Sequence, residues 1–280
     1  MPRTIRVAHS PDSDDAFMFY ALAEGLIDTG DLEFVHELQD IETLNRRALK
    51  GELEVTAVSI HAYAYIADTY ALLPHGASMG EGYGPRIVAR EPAALDDLRG
   101  GLIAIPGTMT SAYLALRMLL PDVNTIAVPF DEIIDYVRGD NADAGLIIHE
   151  GQLTYADEGL HLVQDLGVWW AGETGGLPLP LGGNVIRRDL GDDLIRRASR
   201  LLRASIAYGL EHRAPAIAHA RQFGRGLDES QTDEFVGMYV NQRTLDYGED
   251  GRRSVQLFLD RGHEAGLIPH RVQVDFIDDG

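Results

Sequence analysis

Strand-like and helix-like segments alternate from the start of the chain, and this alternation limits the possible folds more than any other feature of the sequence. Strands that alternate with helices typically form a parallel sheet with the helices packed on its faces. The pattern therefore predicts an α/β fold. The strands are expected at 5–8, 32–38, 55–59 and 70–74, and the helices at 15–25 and 41–51.

A second series of the same kind follows the glycine-rich loop 80–85, which we interpret together with 86–90 as a crossover. The Gly- and Pro-rich stretch 172–183 then precedes a return strand at 184–188. We expect two lobes: residues 1–88 with 183–280 in a larger, discontinuous lobe, and 89–182 in a smaller one. The second series has strands at 101–105, 125–128, 144–148 and near 161–163, and helices at 111–120 and 130–138.

Helical periodicity continues from Asp192 onward and predicts a helical C-terminal region packed on the first lobe. Asp228 followed by Gln231 is typical of a helix N-cap, whereas Gly224 and Gly248 are expected to end helices. In two-lobed α/β proteins, ligands bind in the cleft where strand carboxyl ends and helix N-termini meet. We therefore expect the functional site in such a cleft.

Composition excludes several classes of function. The formal net charge of -20 disfavours nucleic acid and anionic membrane as partners. The absence of cysteine excludes disulfides, thiolate nucleophiles and iron-sulfur clusters. Lysine occurs once, at Lys50, which leaves little scope for a phosphate-binding lysine or Schiff-base chemistry. With no signal-peptide pattern and no apolar run of about 20 residues, we expect a cytoplasmic protein.

The loop 10–17 places hydroxyl and carboxyl groups at the start of a helix. Helix capping accounts for most of this composition. The alternative is a magnesium site at Asp12 and Asp14, which we disfavour because Lys50 is poorly placed to bind a phosphate; no metal is expected. Gly76 to Gly80 also matches the Gly-x-Ser-x-Gly pattern, but the glycines and proline that follow favour a loop over the helix that a nucleophile elbow requires.

Backbone amides supply an anion site where basic side chains are scarce. The segment 106–113 follows a strand and opens a helix, so its free backbone amides are predicted to hold a carboxylate or a phosphate. His149 ends an apolar strand, where an imidazole would face the cleft as a general base, although a lone histidine is more often structural. Ser59 ends another strand, where its hydroxyl either faces the cleft or caps the next helix.

Six motifs, in order along most of the chain, resemble the 1,4-dihydroxy-6-naphthoate synthase (MqnD) family of the futalosine route to menaquinone. One departure is that some members carry Ser-Pro-Cys-Pro-Asn-Asp where this chain has Ser-Pro-Asp-Ser-Asp-Asp. A second is Ser111, which replaces a threonine of some relatives and keeps the hydroxyl. The motifs are Ser10–Tyr20, Glu42–Arg46, Ser59–Tyr63, Pro106–Tyr113, Gly145–Glu150 and Leu177–Gly182.

The resemblance implies a two-lobed fold like that of type II periplasmic binding proteins. It also implies a carbon-carbon lyase that converts cyclic dehypoxanthine futalosine, a small carboxylate, without a cofactor. The proton acceptor falls on His149. Asn45 lies one position off an apolar helical stripe, where an asparagine is usually neutral surface, yet the family's substrate contacts include it. The implied contacts are Asn45, Ala57, Val58, Ser59, Ser111 and Ala112.

Two rival functions stay open from the sequence. Chorismate dehydratase is the sister activity of the same pathway on a similar fold. A non-catalytic protein that binds a small carboxylate is equally compatible with the architecture, because a fold does not determine a function. The oligomeric state is left open.

Overall fold

The computed structural model describes residues 3–224 and 226–277. The predicted alternation of the first part is confirmed, with two strands at the predicted bounds, 32–38 and 55–59. The elements are β1 Arg3–His9, α1 Ser13–Ala23, β2 Leu32–Leu38, α2 Ile41–Ala48, β3 Val55–Ser59, α3 Ile60–Tyr63, β4 Tyr70–Leu72 and β5 Ser78–Gly80.

The middle of the chain contains the second series. It differs from the prediction after β10, where a helix that the sequence did not indicate replaces the start of the Gly- and Pro-rich stretch. The return strand also begins earlier than expected, at Leu179. The elements are β6 Arg86–Ala89, β7 Leu102–Ile105, α4 Ser111–Leu119, β8 Asn124–Ala127, α5 Ile133–Arg138, β9 Ala144–Ile147, α6 Gly151–Thr154, β10 His161–Asp165, α7 Leu166–Thr174 and β11 Leu179–Arg187.

The C-terminal part is helical, as predicted. Asp228 caps α10 in a capping box with Gln231, as its spacing indicated. Gly248 begins a helix, so the predicted stop at this position is wrong. The elements are α8 Asp192–Glu211, α9 Arg213–Ala220, α10 Glu229–Tyr239, α11 Gln242–Leu245 and α12 Gly248–Glu264. Within 3–224 and 226–277, no helix combines the length and the apolar character needed to cross a bilayer.

The strands form two separate sheets. The first has the order β2-β1-β3-β11-β4, with β5 also paired to β11, and the second has the order β10-β6-β9-β7-β8. Strands β2, β1 and β3 are parallel, whereas β11 returns antiparallel to β3. The chain changes sheets between β5 and β6 and again between β10 and β11. The lobe limits 88/89 and 182/183 stay a prediction, and sheet membership favours placing them in these two connections.

The two connections between the sheets touch through their backbones. Leu166 donates its amide hydrogen to the carbonyl of Pro85 at 2.9 Å. A Cβ atom on Gly167 would lie 1.8 Å from the carbonyl oxygen of Tyr83, and one on Gly84 would lie 2.9 Å from the amide nitrogen of Gly167. Since no side chain fits there, glycine is required for this crossing.

The largest hydrophobic cluster spans both sheets. Buried side chains of the first sheet, such as Val58 and Leu72, belong to the same cluster as Ile87, Ile105 and Leu146 of the second. Helices α4, α7 and α12 contribute to it as well. The two sheets therefore share one core.

Candidate functional site

A cavity lies between the two sheets, where the carboxyl ends of β3 and β9 and the middle of β11 approach the first turns of α1 and α4. It encloses about 740 Å³ of empty space, including its mouth. No lysine or arginine is among the residues that line it. The lining residues are Ser10, Asp12, Asp14, Asp15, Met18, Ile41, Ala57, Val58, Ser59, Gly76, Ser78, Pro85, Thr110, Ser111, Ala112, Ile148, Leu181, Gly182, Gly183, Asn184 and Tyr239.

Ser111 and Ala112 form the first turn of α4 and line the cavity, as the sequence predicted. Thr110 caps the helix, because its hydroxyl accepts a hydrogen bond from the amide of Tyr113 at 3.1 Å. The Ser111 hydroxyl donates to the carbonyl of Leu181 at 2.5 Å and accepts from the amide of His61 at 3.2 Å. The amides of Ser111 and Ala112 have no acceptor within the helix, so this turn can bind an anion.

The loop in front of α4 is held by α2. Glu42 accepts a hydrogen bond from the amide of Met109 at 2.9 Å. Gly107 makes room for this carboxylate, because a Cβ atom at Gly107 would lie 2.3 Å from a Glu42 oxygen. Arg46 binds both Glu42, at 2.7 Å, and the hydroxyl of Thr108, at 2.8 Å. These contacts fix the position of the helix terminus.

The end of β3 also lines the cavity, with Ala57, Val58 and Ser59. Asn45 does not, and its expected surface position is wrong: the side chain is 0% exposed. It accepts a hydrogen bond from the amide of Ser59 at 2.9 Å and donates to the Ser59 hydroxyl at 3.0 Å and to the carbonyl of Met109 at 3.4 Å. Asn45 therefore braces Ser59 against the loop before α4.

His149 follows β9 and is buried, and its neighbour Ile148 is among the residues that line the cavity, whereas His149 itself is not. Its Nδ1 accepts a hydrogen bond from the amide of Gly151 at 3.0 Å, and its ring lies edge-on to Phe130 at 5.6 Å. Glu150, the next residue, is only 1% exposed. It lies 3.9 Å from His149 Nδ1 and accepts from the Ser13 hydroxyl at 3.3 Å.

Acidic groups from the first turn of α1 line another part of the cavity. Burial raises the pKa of Asp15 to about 7, although its hydrogen bond from the amide of Ser10 opposes the shift. Burial, followed by the charges of Asp15, Asp12 and Glu150, raises the pKa of Asp14 well above its usual value. Asp12 occupies the N-cap position without a capping hydrogen bond from its side chain. Capping thus explains little of this loop.

Three further cavity residues were not singled out as site residues by the sequence. Tyr239 at the end of α10 donates to Gln152 at 2.7 Å and so links the two sides of the cleft. Ser78 lies in the short strand β5 and is not followed by the helix that a nucleophile elbow requires. Asn184 lies in β11. Within the described residues, no group of three or more His, Cys, Asp or Glu side chains is arranged to hold a metal ion.

Comparison with known proteins decides the family. The profile of a protein family described as "Menaquinone biosynthesis" matches residues 5–264. A 1,4-dihydroxy-6-naphthoate synthase of Thermus thermophilus is 42% identical over 264 residues, which cover 94% of this chain and 95% of that protein. The chain belongs to the 1,4-dihydroxy-6-naphthoate synthase family. The synthase of Streptomyces coelicolor is 37% identical over 275 residues, covering 95% of each protein.

Membership of the 1,4-dihydroxy-6-naphthoate synthase family makes the chain an enzyme, a lyase of menaquinone biosynthesis. Protein AF1704 from Archaeoglobus fulgidus is 47% identical, with a TM-score of 0.91 over 95% of this chain and 98% of that chain. The alkanesulfonate-binding protein SsuA from Xanthomonas axonopodis pv. citri, bound to MOPS, has a TM-score of 0.72 at 15% identity, covering 98% of this chain and 96% of that chain. The predicted two-lobed, periplasmic-binding-protein-like α/β fold is thus confirmed.

Proposed function

We propose that this enzyme converts cyclic dehypoxanthine futalosine into 1,4-dihydroxy-6-naphthoate and a released sugar-derived fragment, without a cofactor. The observation that carries the proposal is the cavity at the first turn of α4, where the amides of Ser111 and Ala112 are available to a carboxylate. In a chain of net charge -20, this turn provides a local site for an anion that the surface repels. The names of the curated relatives support the same product.

His149 acts in this proposal as the general base. In its present contact, Nδ1 accepts from Gly151, so Nε2 carries the ring hydrogen of the neutral imidazole. If that hydrogen moves to Nδ1, the ring loses the hydrogen bond from Gly151 and can instead donate to Glu150, whose carboxylate lies 3.9 Å from Nδ1. In this tautomer Nε2 carries no hydrogen and can accept a proton. The Glu150 carboxylate then stabilises the imidazolium that forms.

The chemical steps follow from this assignment. His149 removes a proton from the bound substrate while the α4 amides hold the substrate's carboxylate. Cleavage of a carbon-carbon bond releases the sugar-derived fragment, and the remaining rings become aromatic. The residues around Ser59, braced by Asn45, position the substrate between these groups.

Turnover of cyclic dehypoxanthine futalosine by the purified protein, without added metal or nucleotide, tests the proposal. Product analysis by mass spectrometry should show 1,4-dihydroxy-6-naphthoate. Dehydration of chorismate under the same conditions would instead identify the sister activity. Tight binding of the substrate with no product would favour a binding protein.

Replacing His149 with Asn tests the base. We expect kcat to fall by about 10²-fold to 10⁴-fold, which is the usual effect of removing a positioned acid-base group. The substrate Kd should change little, and the far-UV CD spectrum should stay that of the unmodified protein. A folded His149→Asn variant with normal kcat would exclude the general-base role, and a variant that does not fold would make His149 a structural residue.

A further inference from the structure

Asn184 is a buried polar side chain in the wall of the cleft. It is 1% exposed, and its Nδ2 has no hydrogen-bond partner among residues 3–224 and 226–277. In the register of β11 with β3, it lies directly opposite Ala57, so both side chains project from the same face of the sheet. Both residues line the cavity. A buried amide without a partner lowers stability, and its presence in a cleft indicates a ligand.

Gly76 fixes the position of this carboxamide. Its φ is +77°, and a Cβ atom there would lie 2.2 Å from Asn184 Nδ2. The backbone of Gly76 is itself held, because its amide donates to the carbonyl of Thr244 at 2.7 Å. The carboxamide therefore has no space to withdraw on this side.

The acidic side chains of the same cavity restrict the chemistry of the ligand there. Asp14 and Asp15 line the cavity together with Asp12, and the charge of Asp14 is disfavoured by Asp15, Asp12 and Glu150. A ligand carboxylate or phosphate would add to this repulsion, and the cavity lining offers no lysine or arginine to offset it. Hydroxyl groups fit, since a carboxyl group and a carboxamide can each accept from and donate to them.

We propose that Asn184, Asp14 and Asp15 form a hydroxyl-binding subsite that takes the sugar-derived part of the substrate. The subsite rests on the proposed function. It orients the substrate, because the carboxylate is bound elsewhere, by the amides of Ser111 and Ala112. At that turn the Ser111 hydroxyl contacts His61 and Leu181 and not the acidic residues. Asn184 is thus a specificity-determining residue for the part of the substrate that the product lacks.

Replacing Asn184 with Ala should separate the two parts of the substrate. We expect kcat/KM for cyclic dehypoxanthine futalosine to fall by about tenfold or more, as for the loss of a hydrogen bond in a buried site. The inhibition constant of 1,4-dihydroxy-6-naphthoate, which keeps the carboxylate but lacks the sugar-derived hydroxyls, should change by less than about twofold. The Tm should stay constant or rise, because the buried polar group is gone.

Asn124→Ala is the matched control, since Asn124 is an exposed asparagine on β8 and should leave both constants unchanged. If Asn184→Ala fails to fold, Asn184→Ser, which keeps a polar group in the cavity wall, is tested instead. The kcat/KM for the substrate and the inhibition constant of the product are then compared in the same way. If Asn184→Ala weakens product inhibition as much as it lowers kcat/KM for the substrate, or leaves kcat/KM unchanged, the proposed subsite is wrong but the proposed function is unaffected. Absence of turnover by the unmodified protein overturns the proposed function and the subsite with it.

Discussion

Asp15 is a carboxyl group that folding removes from water. Its folded pKa of about 7 lies above the ordinary value of 3.8, with burial as the main cause. Between these two pH values the folded protein holds a proton that the unfolded chain releases. The resulting stability is therefore fully present below pH 3.8 and is lost as the pH rises through about 7.

Asp15→Asn mimics the protonated state and keeps an acceptor for the Ser10 amide. We expect this variant to be more stable than the unmodified protein by roughly 1 to 3 kcal/mol at pH 8, with the gain shrinking as the pH falls toward 5. Urea unfolding at pH 5, 6, 7 and 8 measures the difference. Asp157→Asn, at an exposed position, is the control. A gain that does not vary with pH would show that burial of charge is not its cause.

Burial explains why single residues of the cleft were hard to predict. Asn45, Glu150 and Asn184 are polar residues with almost no exposed surface, and polar residue types are usually exposed. Periodicity placed Asn45 beside an apolar stripe, but the contacts of α2 with the end of β3 and with the loop before α4 bury it. The resemblance supplied Asn45 from its motif, and nothing local distinguished Asn184 from other strand residues.

Helix α4 shows how one element carries a binding group. Thr110 caps the first turn by accepting a hydrogen bond from the amide of Tyr113, and it donates its hydroxyl hydrogen to the carbonyl of Gly107 at 3.0 Å. The cap leaves the amides of Ser111 and Ala112 available at the cavity. The anion site thus depends on an ordinary capping interaction.

Thr110→Ala should affect both stability and binding. We expect a loss of about 1 kcal/mol in the free energy of unfolding, the usual value for an N-cap, and a KM several-fold higher because the first turn loses its support. Thr110→Ser should restore both. Asp228→Ala removes the comparable cap of α10 and should lower stability without changing KM. If KM also rises for Asp228→Ala, the higher KM of Thr110→Ala would be explained by the loss of stability and not by the position of the first turn of α4.

At this scale the sequence predicted most elements, because apolar periodicity was clear in the strands and in α4 and α8. The sequence did not predict α7, because the end of this apolar helix overlaps the Gly- and Pro-rich stretch 172–183, which we interpreted as a loop. It also failed at Gly248, which has a φ of +67° but begins α12. Glycine conformation alone does not tell which side of it a helix lies on.

The whole molecule is built around the cluster that joins the two sheets. Trp170 of α7 belongs to it, is fully buried, and donates its indole hydrogen to the Ser254 hydroxyl of α12 at 3.0 Å. Two lobes with separate cores would unfold independently. A shared core instead couples them.

We therefore expect one cooperative unfolding transition. Tryptophan fluorescence, which reports Trp169 and Trp170 of the shared core, and far-UV CD, which reports all helices, should give the same urea midpoint. Calorimetry should show a single peak. Two separated midpoints would mean that the sheets unfold as independent units.

The contact of the two connections at Gly84 and Gly167 restricts how such a molecule can open. The two connections pack backbone against backbone at these glycines, and the hydrogen bond from Leu166 to Pro85 joins them at the same place. We expect any turning of one sheet against the other to move the backbone least beside this contact. Pro85 belongs to both this contact and the cavity wall, so we expect the part of a bound ligand beside Pro85 to keep its protein neighbours when the cleft opens, while the parts farther away lose theirs.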